Sequence, residues 1–176
     1  MELFDTHCHL DWSAFDPDRE AVIERAVQVG VRRMITIGVD VASSQRAIEI
    51  ADRYESVYAA VGVHPNDCAD FDAAVLQEIR LLAQHPKAVA IGEIGLDYYW
   101  HKVDQGTQAR AFRAQLELAA EINKPVIIHS RDAAQAVVAL LEDFEQQAAH
   151  ITGSLHSYLT ILKSHGVPLR LSFRSA

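Results

Sequence analysis

Short apolar segments alternate with longer amphipathic segments along almost the whole chain, and this alternation limits the possible folds more than any other feature. The apolar segments predict strands over 3–6, 34–39, 57–63, 88–94, 125–129 and 169–173. Between them, helical patterns cover 19–30, 43–54, 72–84, 105–122 and 132–145. Strands that alternate with helices pair in parallel, because each helix returns the chain to the start of the next strand.

Two parallel architectures fit this alternation, an open doubly wound sheet and a (β/α) barrel of the TIM type. The first strand ends in Thr6-His7-Cys8-His9 and lacks the glycine-rich turn of a dinucleotide-binding sheet. Histidine, aspartate or glutamate instead follows nearly every strand, at the end where barrel enzymes place their active sites. We therefore predict an α/β fold of the TIM-barrel type, with one domain over residues 1–176.

The length of the chain limits how much of a barrel it can build. A complete eightfold barrel takes about 250 residues, whereas this chain has 176. We therefore predict an incomplete barrel of about six or seven of the eight β/α units.

Composition excludes several classes of protein. Hydrophobic residues make up 49% and charged residues 23% of the chain, which is typical of a globular protein and not of a disordered one. We expect no membrane span and no signal peptide, and hence a cytoplasmic protein whose Cys8 and Cys68 are reduced. The net charge of -8 argues against a broad nucleic-acid-binding surface, although bound cations can neutralise phosphate locally.

The first predicted strand ends with two histidines in the sequence Asp5-Thr6-His7-Cys8-His9. Side chains at i and i+2 of a strand share a face, so His7 and His9 project together as a natural pair of metal ligands. An isolated pair of this kind is equally often a chance pair of structural histidines, but its place after an apolar strand favours ligands. Cys8 points to the other face and is expected to be a packed thiol.

The segment 88–97 places a glutamate directly after an apolar strand and between glycines. Gly92 and Gly95 allow another backbone or a ligand to come close. Glu93 can therefore bridge metal ions or act as a base, the alternative being a capping or ion-paired acid. Asp97 belongs either to the same site or to the turn that begins the next loop.

Two more strand ends carry residues suited to a polar site. The apolar strand 125–129 ends in His129, and Arg131 lies two positions further on, where it suits an anion such as phosphate. The alternative for Arg131 is a salt bridge to a nearby acid. His64 ends the strand 57–63 and either faces a substrate or has a structural role.

Another strand is due after the helical pattern 132–145, and the segment GSLHSY (153–158) there carries His156. Five of the nine histidines thus lie where strands are expected to end: His7, His9, His64, His129 and His156. Taken alone, His156 would more often be structural, but the shared position of the five indicates a common site. Together with Glu93 they predict a metal site with nitrogen and oxygen ligands, which suits Zn²⁺, Mn²⁺, Fe²⁺ or Mg²⁺. Such a site activates water for hydrolysis and polarises a phosphoryl or carbonyl oxygen.

Several of these stretches together resemble the TatD family of metal-dependent deoxyribonucleases, relatives of the amidohydrolase superfamily. The matching segments are LFDTHCHLD (3–11), GVHP (62–65), AIGEIGLDYY (90–99), FRAQLELA (112–119) and KPVIIHSRDA (124–133). The resemblance implies hydrolysis of DNA phosphodiester bonds with two divalent ions, Mg²⁺, Mn²⁺ or Zn²⁺. It implies DNA as substrate, while the sequence itself indicates no membrane partner and leaves the oligomeric state open.

The resemblance also implies roles for individual residues. His7 and His9 match ligands of one ion, and Glu93 matches a carboxylate that bridges both ions and serves catalysis. His129 and His156 match ligands of the second ion.

Three further residues match active-site or substrate-contacting positions of the family, and these are His64, Asp97 and Arg131.

After Tyr158 the sequence departs from the family pattern. Family members continue further and carry a late aspartate, in a Glu-Thr-Asp setting, that binds the first metal; this sequence has no such segment. We therefore expect a barrel truncated at its C-terminal side, with an exposed strand edge and low stability or self-association. Two alternative functions stay open: a hydrolase of a small ester, amide or lactone, and an inactive metal-binding remnant.

Overall fold

Six strands and five α-helices alternate along residues 2–147 and 153–156, the part of the chain that the computed structural model describes. The strands are β1 (Leu3–Cys8), β2 (Val31–Ile37), β3 (Val57–Val61), β4 (Ala88–Asp97), β5 (Val126–Arg131) and β6 (Gly153–His156). The helices are α1 (Arg19–Gln28), α2 (Val41–Arg53), α3 (Ala73–Leu82), α4 (Gln105–Glu121) and α5 (Ala134–Gln147), with a short 3-10 helix at Ser13–Phe15.

All six strands form one parallel sheet whose order follows the chain, β1-β2-β3-β4-β5-β6. A doubly wound sheet reverses its strand order at a switch point, and this sheet contains no reversal. The order is that of a barrel wall, which confirms the predicted α/β fold of the TIM type and excludes the doubly wound alternative. In the described part of the chain the wall is open, since β1 and β6 are its two edges, and Leu3 and Phe4 on β1 are exposed.

Three strands run further at their carboxyl ends than the apolar pattern predicts. β1 reaches Cys8, β4 continues past Ile94 to Asp97, and β5 continues to Arg131. The extensions of β4 and β5 pair with each other, with Gly95 opposite His129 and Asp97 opposite Arg131. Residues that the sequence placed at the start of loops therefore stand on paired strands. The strand predicted over 169–173 lies outside the described residues.

Apolar side chains pack on both faces of the sheet. The main core lies between the strands and the helices, where Ala47 and Ala51 of α2 and Phe112 and Leu116 of α4 are almost fully buried. A smaller cluster consists of strand residues alone, namely Ile37, Ala60, Ala90 and Ile127 with Ile35 beside them. Because no described helix contributes to it, this cluster fills the concave face inside the barrel.

Aspartate side chains mark where three of the helices begin. Asp40 accepts a hydrogen bond from the Ser43 N–H, Asp72 from the N–H groups of α3, and Asp104 from the Thr107 N–H. Each carboxylate satisfies N–H groups that have no partner inside the first helical turn. None of the described helices combines the length and the apolar character needed to cross a bilayer.

Two buried glutamines on one face of α4 hold the carboxyl ends of β3 and β4. The amide of Gln115 accepts from the Val63 N–H at 2.7 Å and donates to the Val63 carbonyl at 3.1 Å. The amide of Gln108 accepts from the Asp97 N–H at 2.8 Å and donates to the carbonyls of Asp97 and Val103, each at 2.9 Å. The helix thus fixes, through side chains, the backbone beside two of the predicted site residues.

Candidate metal centre

Four strand ends bring predicted site residues together around the Glu93 carboxylate. His7, His9 and Glu93 form one group and His64, Glu93 and His129 a second, and within each group the potential ligand atoms lie within 4.8 Å of one another. The predicted clustering of these residues is therefore observed, although they are spread over more than half of the sequence.

Glu93 belongs to both groups because its two oxygens face in different directions. Its Oε2 lies 3.6 Å from His7 Nε2, and its Oε1 lies 3.0 Å from His129 Nδ1. The side chain is only 4% exposed. One buried carboxylate thus stands between the end of β1 and the end of β5.

The glycines beside Glu93 permit this arrangement. Gly95 has a φ of +143°, and a Cβ atom there would overlap the carbonyl oxygen of His129. At Gly92, with a φ of +156°, a Cβ atom would lie 2.7 Å from Ile127. The missing side chains let β4 approach β5 closely, as the sequence predicted.

The electrostatics of the centre favour a cation. Burial opposes ionisation of Glu93, but the hydrogen bond from His129 and the imidazoles of His7 and His64 outweigh it and lower the pKa of Glu93 to about 2. Burial also opposes protonation of His129, yet its contacts with Glu93 and Asp97 raise the pKa of His129 above its ordinary value. Carboxylates that stabilise a positive charge on an imidazole also stabilise a metal ion at the same place.

Asp97 holds the other nitrogen of His129. Its Oδ2 lies 3.0 Å from His129 Nε2 and accepts a hydrogen bond from the Asn66 amide at 2.9 Å. Its Oδ1 accepts from the backbone N–H groups of Tyr99 and Trp100 at 3.0 and 3.1 Å. The carboxylate is 1% exposed, so its geometry favours positioning of His129 over the substrate contact that the family resemblance implies.

His64 packs edge-on against His129, with 4.3 Å between the ring centroids. Its Nδ1 accepts the Asn66 backbone N–H at 3.1 Å. Burial, together with the charge of His129, lowers the pKa of His64 to about 4. The ring is therefore neutral at pH 7 and carries its proton on Nε2. His64 is thus better suited to donate a hydrogen bond than to bind a metal ion.

His9 is held by two neighbours that the sequence analysis did not single out. Its ring stacks on Trp12 with a centroid distance of 4.9 Å and an interplanar angle of 17°. Its Nδ1 lies 3.8 Å from Asp11 Oδ1, and in the described part of the chain neither atom has a hydrogen-bond partner. Buried polar atoms without partners, in a set of imidazole nitrogens and carboxylate oxygens, fit a divalent cation.

Arg131 lies beside the centre and stacks on aromatic rings. Its guanidinium carbon is 4.0 Å from the Tyr99 ring centroid and 5.2 Å from that of Trp100. Among residues 2–147 no carboxylate lies within ion-pair distance of it, so the salt-bridge alternative is wrong for this part of the chain. A guanidinium without an acidic partner remains able to bind an anion.

His156 is described only through its backbone. It ends β6 in register with His129 on β5, which places it at the same end of the sheet as the candidate centre. Its side chain lies outside the described part of the structure, so its role as a ligand stays a prediction.

Asn66, Asp11 and Trp12 are the residues at the centre that the sequence analysis missed. Asn66 follows His64 by two positions and Asp11 follows His9 by two positions. A polar residue two positions after a strand-end histidine was the available signal.

A family model described as TatD related DNase matches residues 4–165. The chain belongs to this family. The TatD match covers both groups that share Glu93 and every described site residue, which confirms the resemblance drawn from the sequence motifs.

The chain is also similar to individual TatD relatives. It is 44% identical over 156 residues to "Uncharacterized metal-dependent hydrolase YabD" of Bacillus subtilis, covering 89% of this chain and 60% of the relative. It is 40% identical over 140 residues to "3'-5' ssDNA/RNA exonuclease TatD" of Escherichia coli K12, covering 80% of this chain and 54% of the relative. The chain therefore spans somewhat more than half the length of these relatives.

A solved structure agrees with these sequence matches. The crystal structure of YjjV, a TatD homolog from Escherichia coli K12, superposes with a TM-score of 0.81 at 30% identity. The match covers 90% of this chain and 61% of that chain. The open wall of six strands thus corresponds to part of the fold of a TatD relative.

Proposed function

We propose that this chain carries the site of a metal-dependent hydrolase that cleaves phosphodiester bonds of single-stranded DNA with two divalent ions, Mg²⁺, Mn²⁺ or Zn²⁺. Membership of the TatD family and a relative named as a 3'-5' ssDNA/RNA exonuclease support the substrate class. We also propose that residues 1–176 form one hydrolase domain, and a cytoplasmic location remains a prediction.

The observation that carries the proposal is the position of Glu93 between two groups of potential ligands. Its Oε2 faces His7 at 3.6 Å, and its Oε1 faces His129 at 3.0 Å. In our proposal His7 and His9 would hold one ion, His129 and His156 would hold the other, and Glu93 would be a ligand of both. A carboxylate is well suited to this role because each of its oxygens can serve one ion.

The ions and the Glu93 carboxylate would contribute different parts of the hydrolysis reaction. When bound, such ions activate water and stabilise the charge that develops on the phosphoryl oxygens. Because the pKa of Glu93 is about 2, the carboxylate stays ionised at neutral pH. An ionised Glu93 would serve as a metal ligand and could also accept a hydrogen bond from the attacking water and so orient it.

Three side chains around this core serve the substrate or the ligands. The neutral His64 donates its Nε2–H to a phosphoryl oxygen and so stabilises the negative charge on that oxygen. Arg131, held by its aromatic neighbours, binds a phosphate of the strand. Asp97 positions His129 through their contact of 3.0 Å.

Metal titration and strand cleavage together test the proposal. After treatment with EDTA, Mn²⁺ binding is measured by calorimetry and cleavage of a labelled single-stranded oligonucleotide is followed with Mg²⁺ or Mn²⁺. We expect two ions per chain, metal-dependent cleavage, and loss of both in Glu93→Gln. The matched control is Glu121→Gln, which changes an exposed glutamate on α4. This variant should bind metal and cleave the oligonucleotide like the unsubstituted protein.

The other outcomes contradict the proposal in different ways. A single bound ion without cleavage would overturn the two-ion site. Cleavage of a small ester or lactone without any cleavage of the oligonucleotide would promote the alternative substrate class. Absence of metal binding even at high Mn²⁺ would favour the inactive remnant.

A further inference from the structure

Both tryptophans of the chain lie beside the candidate metal centre with about half of their surface exposed. Trp12 is 55% exposed and Trp100 is 52% exposed. Large aromatic side chains usually bury most of their surface, and single exposed apolar residues need no explanation. The exposure of both tryptophans at the same site calls for a ligand with flat apolar faces.

Each tryptophan is linked to a different ligand group. Trp12 stacks on His9 at 4.9 Å, next to the group that contains His7. The backbone N–H of Trp100 donates to Asp97 at 3.1 Å, and the same carboxylate contacts His129 of the second group. The ring of Trp12 and the backbone of Trp100 therefore contact residues that belong to, or hold, different ligand groups around Glu93.

The surroundings of Trp100 add a positive charge to the aromatic surface. Its ring meets Tyr99 edge-on, with 4.8 Å between centroids and an angle of 89°. Arg131 lies over Tyr99 at 4.0 Å and within 5.2 Å of Trp100. In a chain with a net charge of -8, a cation without an acidic partner in the described part is suited to a phosphate.

We propose that Trp12 and Trp100 are stacking surfaces for nucleobases of a single-stranded nucleic acid, one on each side of the candidate metal centre, with Arg131 on the phosphate next to the base at Trp100. The proposal rests on the proposed function and adds the residues that select unpaired strands. Bases in a duplex have both faces covered by their neighbours, so indole surfaces can stack only on bases that are free. Stacking of this kind depends little on base identity.

Tryptophan fluorescence tests the proposal directly, because the chain has only two tryptophans. The probe is a short phosphorothioate oligothymidylate, which resists cleavage, added to the full chain in EDTA so that metal binding does not enter the measurement. We expect quenching by the single strand and much weaker quenching by the same sequence in a duplex. Trp12→Phe and Trp100→Phe each leave one reporter, and each should still be quenched.

The alanine variants measure how much each surface contributes. Trp12→Ala and Trp100→Ala should each weaken binding roughly tenfold, while the phenylalanine variants keep a flat ring and retain most of the affinity. The affinity of the alanine variants is measured by anisotropy of a labelled oligothymidylate. Leu81→Ala, which removes a 56%-exposed apolar side chain on α3, is the matched control and should bind normally.

The outcomes separate this proposal from the proposed function. Unchanged affinity in both alanine variants, or equal binding of duplex and single strand, would overturn the stacking surfaces even if the protein cleaves DNA. Quenching and tryptophan-dependent affinity without cleavage under Mg²⁺ or Mn²⁺ would support the stacking surfaces and overturn the hydrolase. Circular dichroism of each variant confirms that it is folded.

Discussion

Gln108→Leu should destabilise the fold more than its conservative volume change would indicate. Gln108 is 1% exposed and makes all three of its hydrogen bonds to backbone groups. Leucine fills similar space on α4 but can neither donate nor accept. The substitution therefore leaves the Asp97 N–H, the Asp97 carbonyl and the Val103 carbonyl without the partners they have in the structure.

The expected decrease in the free energy of unfolding follows from the number of backbone groups that lose a hydrogen-bond partner. A buried polar group without a partner costs about 1–3 kcal/mol; the lower part of this range, about 1–2 kcal/mol for each of three groups, gives a decrease in the free energy of unfolding of about 3–6 kcal/mol. Gln115→Leu affects only the N–H and carbonyl of Val63, because its third partner, the Ala111 carbonyl, lies within the same helix. The free energy of unfolding of Gln115→Leu should therefore decrease by about 2–4 kcal/mol.

Urea unfolding followed by far-ultraviolet circular dichroism measures these losses. EDTA is present throughout, because a bound metal would stabilise the folded state by mass action. Gln45→Leu is the matched control, since Gln45 is exposed on α2 and bonds only the side chain of Glu49. It should change the free energy of unfolding by no more than about 0.5 kcal/mol.

The result that would refute the reasoning is a loss for Gln108→Leu no larger than that for Gln45→Leu. In that case water or a shifted backbone would satisfy the end of β4 without the glutamine. If Gln108→Leu does not fold, Gln115→Leu still tests the argument, because it leaves fewer groups without partners. We also expect weaker metal binding in folded Gln108→Leu, because Asp97 positions His129.

Three further predictions concern the centre and the core. Gly95→Ala should abolish metal binding and lower the melting temperature, since a Cβ atom would overlap the carbonyl oxygen of His129 on β5. The control is Gly106→Ala, in the exposed first turn of α4, and the same metal affinity and melting temperature in both variants would contradict the prediction. Asp11→Asn should weaken Mn²⁺ binding about 10- to 100-fold, because Asp11 Oδ1 lies 3.8 Å from His9 Nδ1; unchanged affinity in calorimetry would exclude a positioning role. Burial raises the pKa of the Cys68 thiol to about 11, so iodoacetamide at pH 8 should label it far more slowly in the native protein than in urea, and labelling should accelerate as the pH approaches 11; equal rates in peptide mapping would show that the thiol is accessible.

Local sequence patterns determined the kind and order of the elements. The helical pattern over 105–122 corresponds to α4 at Gln105–Glu121, and the apolar run over 57–63 corresponds to β3 at Val57–Val61. Hydrophobic periodicity is a local property, so it predicts the type of an element without knowledge of its tertiary contacts. The same locality explains the errors at strand ends, since the extension of β4 to Asp97 depends on pairing with β5.

The sequence also identified which residues meet at the centre, but not what each one contacts. Parallel strands bring their carboxyl ends to one edge, so His7, Glu93 and His129 could be grouped from their positions alone. The sequence could not predict that the two oxygens of Glu93 face different histidines, or that Asp97 is buried against His129. These contacts depend on side-chain rotamers and on distances between separate strands.

Sequence by itself determined the α/β alternation, the family motifs and the chemistry of the side chains at the strand ends. Only the tertiary structure decided that Asp97 faces His129 and that Gln108 holds the end of β4. The physical reason is one of range. Hydrophobic periodicity acts between residues close in the chain, whereas these contacts join residues on different elements whose approach is set by strand register, by close packing at Gly95 and by the pairing of buried polar groups.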